Sequence, residues 1–77
     1  MNNIYSLTDL AVGQSAKISK LLSEGTMRRR LQDIGLIEGT GVECVLKSPG
    51  GDPKAYLIRG AVIALRSEDA ENVLVSV

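Results

Sequence analysis

The chain has 77 residues, 44% of them hydrophobic, which is enough for one small domain and leaves no room for a second core. Nine Lys and Arg residues balance nine Asp and Glu residues, so no overall field draws the chain onto nucleic acid or an anionic membrane. Any electrostatic function must therefore be local.

Few side chains are suited to catalysis or tight metal binding. The chain has no histidine, and its single cysteine, Cys44, excludes an intrachain disulfide and leaves too few ligands for a zinc site. Tyr5 and Tyr56 are the only aromatic residues, too few for the stacking surfaces of single-stranded nucleic-acid binders. We therefore expect a protein that is not an enzyme and that requires no cofactor.

The first ten residues, MNNIYSLTDL, lack the basic and apolar regions of a signal peptide. No apolar run approaches the roughly 20 residues that a helix needs to span a bilayer. These features predict a soluble, cytoplasmic protein that is not embedded in a membrane.

The first half of the chain predicts one helical turn, one strand and one short helix. The Ser/Thr/Asp cluster at 6–10 favours a single turn, and partial alternation at 15–21 favours a strand. Ser23 and Thr26 are both possible caps for a helix of two to three turns, which runs to Asp33 or Ile34 and closes at Gly35.

The second half predicts strands. From Gly41 the hydrophobic period becomes two, which places Val42, Cys44 and Leu46 on one face and Glu43, Val45 and Lys47 on the other. A Pro/Gly-rich loop at 48–54 joins this strand to another at 55–59, and the apolar run at 61–66 is typical of a strand packed on both faces or in mid-sheet. Ser67 then caps a short turn, and Val73, Val75 and Val77 share one face of a last strand.

Five short strands in a chain of this size are too few for an ordinary sandwich, whereas a small barrel makes one compact core and removes exposed edges. We therefore predict a mainly β protein, a five-stranded, partly open barrel with one helix, in a single domain covering 1–77.

Three consecutive arginines, Arg28, Arg29 and Arg30, stand in the predicted helix. At about 100° per residue, Met27, Leu31 and Ile34 fall within one arc, Arg28 and Arg30 flank it, and Arg29 points away. The arginines either form a solvated helix face, with their stems over apolar surface, or belong to a docking surface.

In the docking interpretation, the candidates for partner contact are Arg28, Arg29, Ile37 and Glu38, with Ile37 just past the Gly35 cap. Arg30 is expected at the seam between helix and barrel. Three outward strand positions are also apolar and either lie under the helix or form a patch, namely Val45, Val62 and Leu74.

The order of several spaced elements resembles the FeoA family. The elements are Arg30-Leu31, Asp33-Ile34-Gly35-Leu36, Gly39-Thr40, Val42, Gly51-Asp52-Pro53, Tyr56, Ile58, Arg59-Gly60, Ile63-Ala64-Leu65-Arg66, Asp69-Ala70 and Val73. The resemblance runs from about Leu7 to Val75, and its specificity comes from the agreement of many elements in order.

The resemblance implies a small cytoplasmic SH3-like barrel that acts as an accessory or regulatory protein of bacterial ferrous iron uptake. The implied partner is the cytosolic part of a FeoB-type membrane permease. Glu38 departs from the family pattern, which often has proline at that position, so the turn after the helix is predicted to be less rigid and the nearby surface to differ. The sequence leaves open whether the protein forms a homo-oligomer through an exposed edge of the barrel.

Most residues that carry the resemblance have architectural explanations. Gly35 is predicted as the left-handed cap of the helix, with Leu31 and Leu36 in the core, and Gly39 as a turn. Gly51, Asp52 and Pro53 form a turn signal, Gly60 separates two strands, and Arg66 ends a strand at the barrel rim.

Two other functions compete with permease binding. Direct, weak Fe²⁺ binding, as a carrier or sensor, could use oxygen donors of Glu38, Glu43, Asp52 or the acidic cluster at 68–71, although none has recognisable ligand spacing and no metal ligand is assigned. Nucleic-acid binding through Met27 to Arg30 is disfavoured by the zero net charge, and no nucleic-acid partner is expected.

Overall fold

The computed structural model describes residues 3–77 and shows a mainly β chain with short helices. Met1 and Asn2, the start of the segment considered for a signal peptide and of the predicted domain, lie outside the described residues. A 3-10 turn covers Leu7–Asp9, and the helices are α1 (Gly25–Asp33) and α2 (Ser67–Ala70). The strands are β1 (Ile4–Ser6), β2 (Ser15–Leu21), β3 (Gly41–Lys47), β4 (Lys54–Ile58), β5 (Ala61–Leu65) and β6 (Val73–Ser76).

All strands join one antiparallel sheet in the order β1-β6-β2-β3-β4-β5. The sheet does not close on itself, so the predicted partly open barrel is confirmed. It has six strands rather than five, because Ile4–Ser6 pairs with Leu74–Ser76. Three residues directly before a helical turn are too few to show a strand period, which is why β1 was missed.

The core lies inside the curled sheet and is closed by α1, α2 and the 3-10 turn. Inward residues alternate along the strands as a half-buried sheet requires. Cys44 is fully buried among them. The buried hydrophobic residues are Leu7, Leu10, Ala16, Ile18, Leu21, Leu31, Leu36, Val42, Cys44, Tyr56, Ile58, Leu65, Ala70, Val73 and Val75.

Leu46 was predicted to share the inward face of β3, and this is wrong. Its side chain is 64% exposed, because the register between β3 and β4 shifts between Cys44 and Leu46. One extra residue in a strand moves the following side chains to the opposite face. Val77 is also exposed, unlike Val73 and Val75, and follows the end of β6 at Ser76.

The apolar run that forms β5 was predicted to pack on both faces or in mid-sheet, and this is also wrong. β5 pairs with β4 alone and forms an edge of the sheet. Of its residues only Leu65 is buried, while Val62 and Ala64 are exposed.

Side-chain caps were predicted for both helices, and the structure places them elsewhere. α1 begins after Glu24, which makes no side-chain cap hydrogen bond, and neither Ser23 nor Thr26 is the cap. The cap residue of α2 is Arg66, so Ser67 is the first helical residue. The predicted turn at 6–10 does have its cap, because Ser6 and Asp9 form a reciprocal capping box.

Candidate partner-binding surface around helix α1

Helix α1 is held on the barrel by one apolar face. Leu31 is buried, and Met27 and Ile34 are partly buried against the core, as the helical spacing predicted. Arg29 lies on the opposite face, Arg28 and Arg30 flank the apolar stripe, and all three are exposed, so the helix presents charge to solvent from a fixed position.

The C-terminus of α1 ends in a Schellman motif. The amide of Leu36 donates to the Leu31 carbonyl at 3.0 Å, and the amide of Gly35 donates to the Gln32 carbonyl at 3.0 Å. Gly35 has φ +107°, which confirms the predicted left-handed cap. Leu36 is fully buried, so the chain leaves the helix anchored in the core.

Gly35 also makes room for close packing with the β4–β5 turn. A Cβ atom at this position would lie 3.0 Å from Cγ2 of Ile58 and 3.0 Å from Cδ of Arg59. The aliphatic stem of Arg59 therefore lies over the glycine.

The segment after the cap forms a turn that is bonded to the sheet. The Thr40 amide donates to the Ile37 carbonyl at 2.9 Å, and Gly39 has φ +89°, as in a type II turn. The amide of Gly39 donates to the Ile18 carbonyl, and the amide of Ile18 donates to the Thr40 carbonyl, each at 2.8 Å. These two bonds fix the turn against β2.

The turn projects two of the residues considered for partner contact. Ile37 is 45% exposed and Glu38 is exposed. Glu38 occupies the second turn position, where proline is favoured in type II turns. An apolar and an acidic side chain thus stand next to each other in a turn that is hydrogen-bonded to β2.

The three arginines have different surroundings. Arg28 is exposed, and its Nη1 donates to the Leu21 carbonyl at 3.1 Å, which ties the helix to the end of β2. Arg29 is exposed on the outer face of α1. Arg30 lines a groove of about 290 Å³ between α1 and β5, with Met27 and Ile63 among its walls.

The Gly51-Asp52-Pro53 segment has a role that sequence reasoning missed. Gly51 closes the predicted turn by donating to the Ser48 carbonyl at 2.8 Å. Asp52 then accepts hydrogen bonds from the amide of Ser67 at 2.8 Å and from its hydroxyl at 3.2 Å. The carboxylate caps α2 from a distant loop, so this motif connects two parts of the barrel.

Lys54 is a further residue that the sequence did not single out. Its Nζ donates to the carbonyls of Thr8 at 2.8 Å and Leu10 at 3.3 Å, at the end of the 3-10 turn. A lysine at the start of an apolar strand was the available signal.

Tyr56, two residues further along β4, is buried, and burial with Cys44 and Asp52 nearby raises the pKa of the phenol to about 12.

A wider groove of about 780 Å³ lies on the outer face of the sheet, across β6, β2, β3 and β4. Its lining includes Lys17, Glu43, Leu57 and Arg59, with Gly41 between them. Gly41 leaves open space at the position of its missing side chain. This groove was not predicted, because it depends on which strands become neighbours.

Among residues 3–77, no group of three or more His, Cys, Asp or Glu side chains is placed to hold a metal ion. In the same part of the chain, no helix has the length and apolar character needed to cross a membrane.

Comparison with known proteins agrees with this architecture. Over 97% of its length the chain superposes on a FeoA-like protein from Clostridium acetobutylicum, with a TM-score of 0.87, 31% identity and 87% of that chain covered. A FeoA protein from Stenotrophomonas maltophilia in complex with zinc, described as a prokaryotic SH3 domain protein, gives a TM-score of 0.81 and 30% identity. That match covers 91% of the present chain and 87% of the other.

The relatives define the class as SH3-like barrels linked to ferrous iron transport. A family profile described as the FeoA domain matches residues 5–77. The chain belongs to the FeoA family. A Fe(2+) transport protein A/Fe(2+) transporter FeoB fusion protein of Porphyromonas gingivalis is 31% identical over 67 residues, covering 87% of this chain and 8% of the fusion protein.

Proposed function

We propose that this protein is a non-enzymatic, cytoplasmic accessory domain that binds and regulates the cytosolic part of a FeoB-type ferrous iron permease. The observation that supports it best is the Porphyromonas gingivalis relative, in which a FeoA segment and a FeoB transporter share one chain. Domains joined in one protein in one organism are candidates for association as separate chains in another.

The surface we assign to the permease consists of Arg28, Arg29, Ile37 and Glu38, and we call it the α1 surface. It combines two guanidinium groups, an apolar side chain and a carboxylate, all exposed. Arginine and large apolar residues commonly dominate binding energy at interfaces.

Rigidity supports this assignment. The turn that carries Ile37 and Glu38 is bonded to β2 through Gly39 and Thr40, and the guanidinium of Arg28 is positioned by the Leu21 carbonyl. Side chains that are already ordered lose less conformational entropy when a partner binds.

The test is an NMR titration of the isotope-labelled protein with the cytosolic region of its cognate permease. We expect amide shifts concentrated between positions 27 and 40. The double variant Arg28→Ala/Arg29→Ala should bind at least about tenfold more weakly, which corresponds to about 1.4 kcal/mol.

The matched control is Lys47→Ala/Arg66→Ala, which removes two exposed cations that lie outside the α1 surface. We expect its affinity to stay within about twofold of the unmodified protein. Equal weakening in both variants would show nonspecific charge attraction, and unchanged affinity in the first would contradict the assigned surface.

In this proposal Fe²⁺ is the cargo of the permease, and direct binding by this domain is the second candidate. The observation that supports this second candidate is the zinc complex of the Stenotrophomonas maltophilia relative. Repeating the titration with Fe²⁺ alone, without oxygen, separates the two functions, because surface carboxylates would produce weak shifts at acidic positions rather than at the α1 surface.

A further inference from the structure

The sheet ends at β5, and one side of this strand is unpaired. β4 and β5 are joined by the two-residue turn Arg59-Gly60, with φ +51° and +84°, as in a type I′ hairpin. In such a hairpin the hydrogen-bonded residues alternate, so the N–H and C=O groups of Val62 and Ala64 face away from β4. Within residues 3–77, no backbone hydrogen bond outside the strand ladder uses these groups.

The exposed edge lacks the features that usually prevent strand pairing. β5 reads AVIAL, with no charge and no proline, and its register with β4 is continuous. Val62 is 64% exposed. The opposite edge of the sheet, β1, has only three residues and offers much less backbone.

From these features we infer that β5 pairs antiparallel with β5 of a second copy, about a two-fold axis through Ile63. In this register Val62 faces Ala64 of the other copy, and Ala61 faces Leu65. A small side chain opposes a larger one at each of these pairs, and the outward groups of Val62 and Ala64 form four hydrogen bonds across the axis.

The charge of the chain suits a second copy as the occupant. The formal net charge is zero, so two copies do not repel each other at long range. The groove beside β5 carries Arg30, Asp33 and Asp69, hence both signs, and does not exclude a copy of itself. An isologous interface of this kind also closes after two subunits and does not propagate.

The first test is the mass in solution, measured by sedimentation velocity from micromolar concentration to about 1 mM. We expect a concentration-dependent dimer. Val62→Lys places a charge on the edge and should weaken dimerisation at least about tenfold. The control is Leu46→Lys, the same change at a side chain that is also 64% exposed but lies on β3, and it should leave the dimer unchanged.

The second test fixes the register and does not depend on edge-charge variants. In the Ile63→Cys variant, the new thiol lies opposite the same thiol of the second copy, so the two should form an intermolecular disulfide in a glutathione redox buffer. Ala61→Cys faces Leu65 and should not. Cys44 is fully buried and does not compete.

A monomer at every concentration would overturn the inference, and so would a dimer that Val62→Lys leaves intact. The permease titration supplies the remaining outcome. If the protein is monomeric and the amides of Val62 and Ala64 become protected from exchange only with permease present, the edge pairs with a partner strand rather than with a second copy.

Discussion

At the scale of single residues, position 35 imposes two requirements that only glycine meets. Its φ of +107° suits glycine, and its missing side chain admits Ile58 and Arg59 to 3.0 Å of the Cβ position. The sequence allowed the first requirement to be predicted, because a glycine follows the last periodic residue of the helix. The second depends on a turn more than 20 positions away along the chain and required the structure.

Gly35→Ala should therefore destabilise the protein by about 2 kcal/mol or more in urea unfolding. Gly13→Ala is the matched control, because Gly13 has φ +92° but open space around its Cβ position. We expect it to cost about 1 kcal/mol, from backbone strain alone. Equal losses in the two variants would show that the contact with Ile58 does not restrict the site.

Tyr56 gives the protein a defined pH dependence at the alkaline end. The pKa of its phenol is raised from 10.0 to about 12, mainly because burial disfavours the phenolate. The folded state therefore holds its proton more tightly than the unfolded state. This contribution is fully present below pH 10 and is lost as the pH rises toward 12, by about 2 to 3 kcal/mol.

The measurement compares unfolding of the unmodified protein and Tyr56→Phe between pH 9 and 12. Lysine titration affects both proteins alike, so the difference between them isolates the phenol. We expect the stability of the unmodified protein to fall more steeply, and parallel curves would contradict the assignment.

At the scale of elements, the short helix α2 depends on a distant loop. It has four residues and no side-chain cap of its own, and Asp52 accepts both hydrogen bonds from Ser67. The sequence indicated a turn at Gly51-Asp52-Pro53, and this was correct. The predicted cap at Ser67 was wrong because the capping oxygen comes from another part of the chain.

Asp52→Ala should lower the free energy of unfolding by about 1 to 2 kcal/mol, because the first amide of α2 loses its acceptor. Asp52→Asn keeps a carbonyl oxygen at the same position and should recover at least half of the loss. The check is chemical unfolding of both variants at pH 7. If the asparagine variant is as unstable as the alanine variant, charge rather than hydrogen-bond geometry is responsible.

Other elements show where local patterns reach their limit. The bounds of β2 and the face of α1 followed from periodicity, because each element buries one side. The exposure of Leu46 could not be predicted from periodicity, since a bulge in β3 is visible only through the register with β4. The edge position of β5 could not be predicted either, because a short apolar run has the same composition at an edge as in the middle of a sheet.

At the scale of the whole molecule, the fold class followed from the sequence, and the order of strands did not. Short strands with turn signals indicated a small barrel, whereas the placement of β6 between β1 and β2 joins the two ends of the chain. The candidate site follows the same division. The α1 surface was assigned from local sequence and stays a prediction, while the outer groove around Gly41 depends on four strands coming together.

The sheet order also decides when the domain can fold. β6 supplies the neighbour of β1 and one of the two neighbours of β2, and Ile4 pairs with Ser76. Pairs so distant in sequence form only after a large loss of chain entropy, which slows folding. During synthesis, β1 must therefore wait without a partner until β6 has left the ribosome, so the first strand to be made is among the last to find its neighbour.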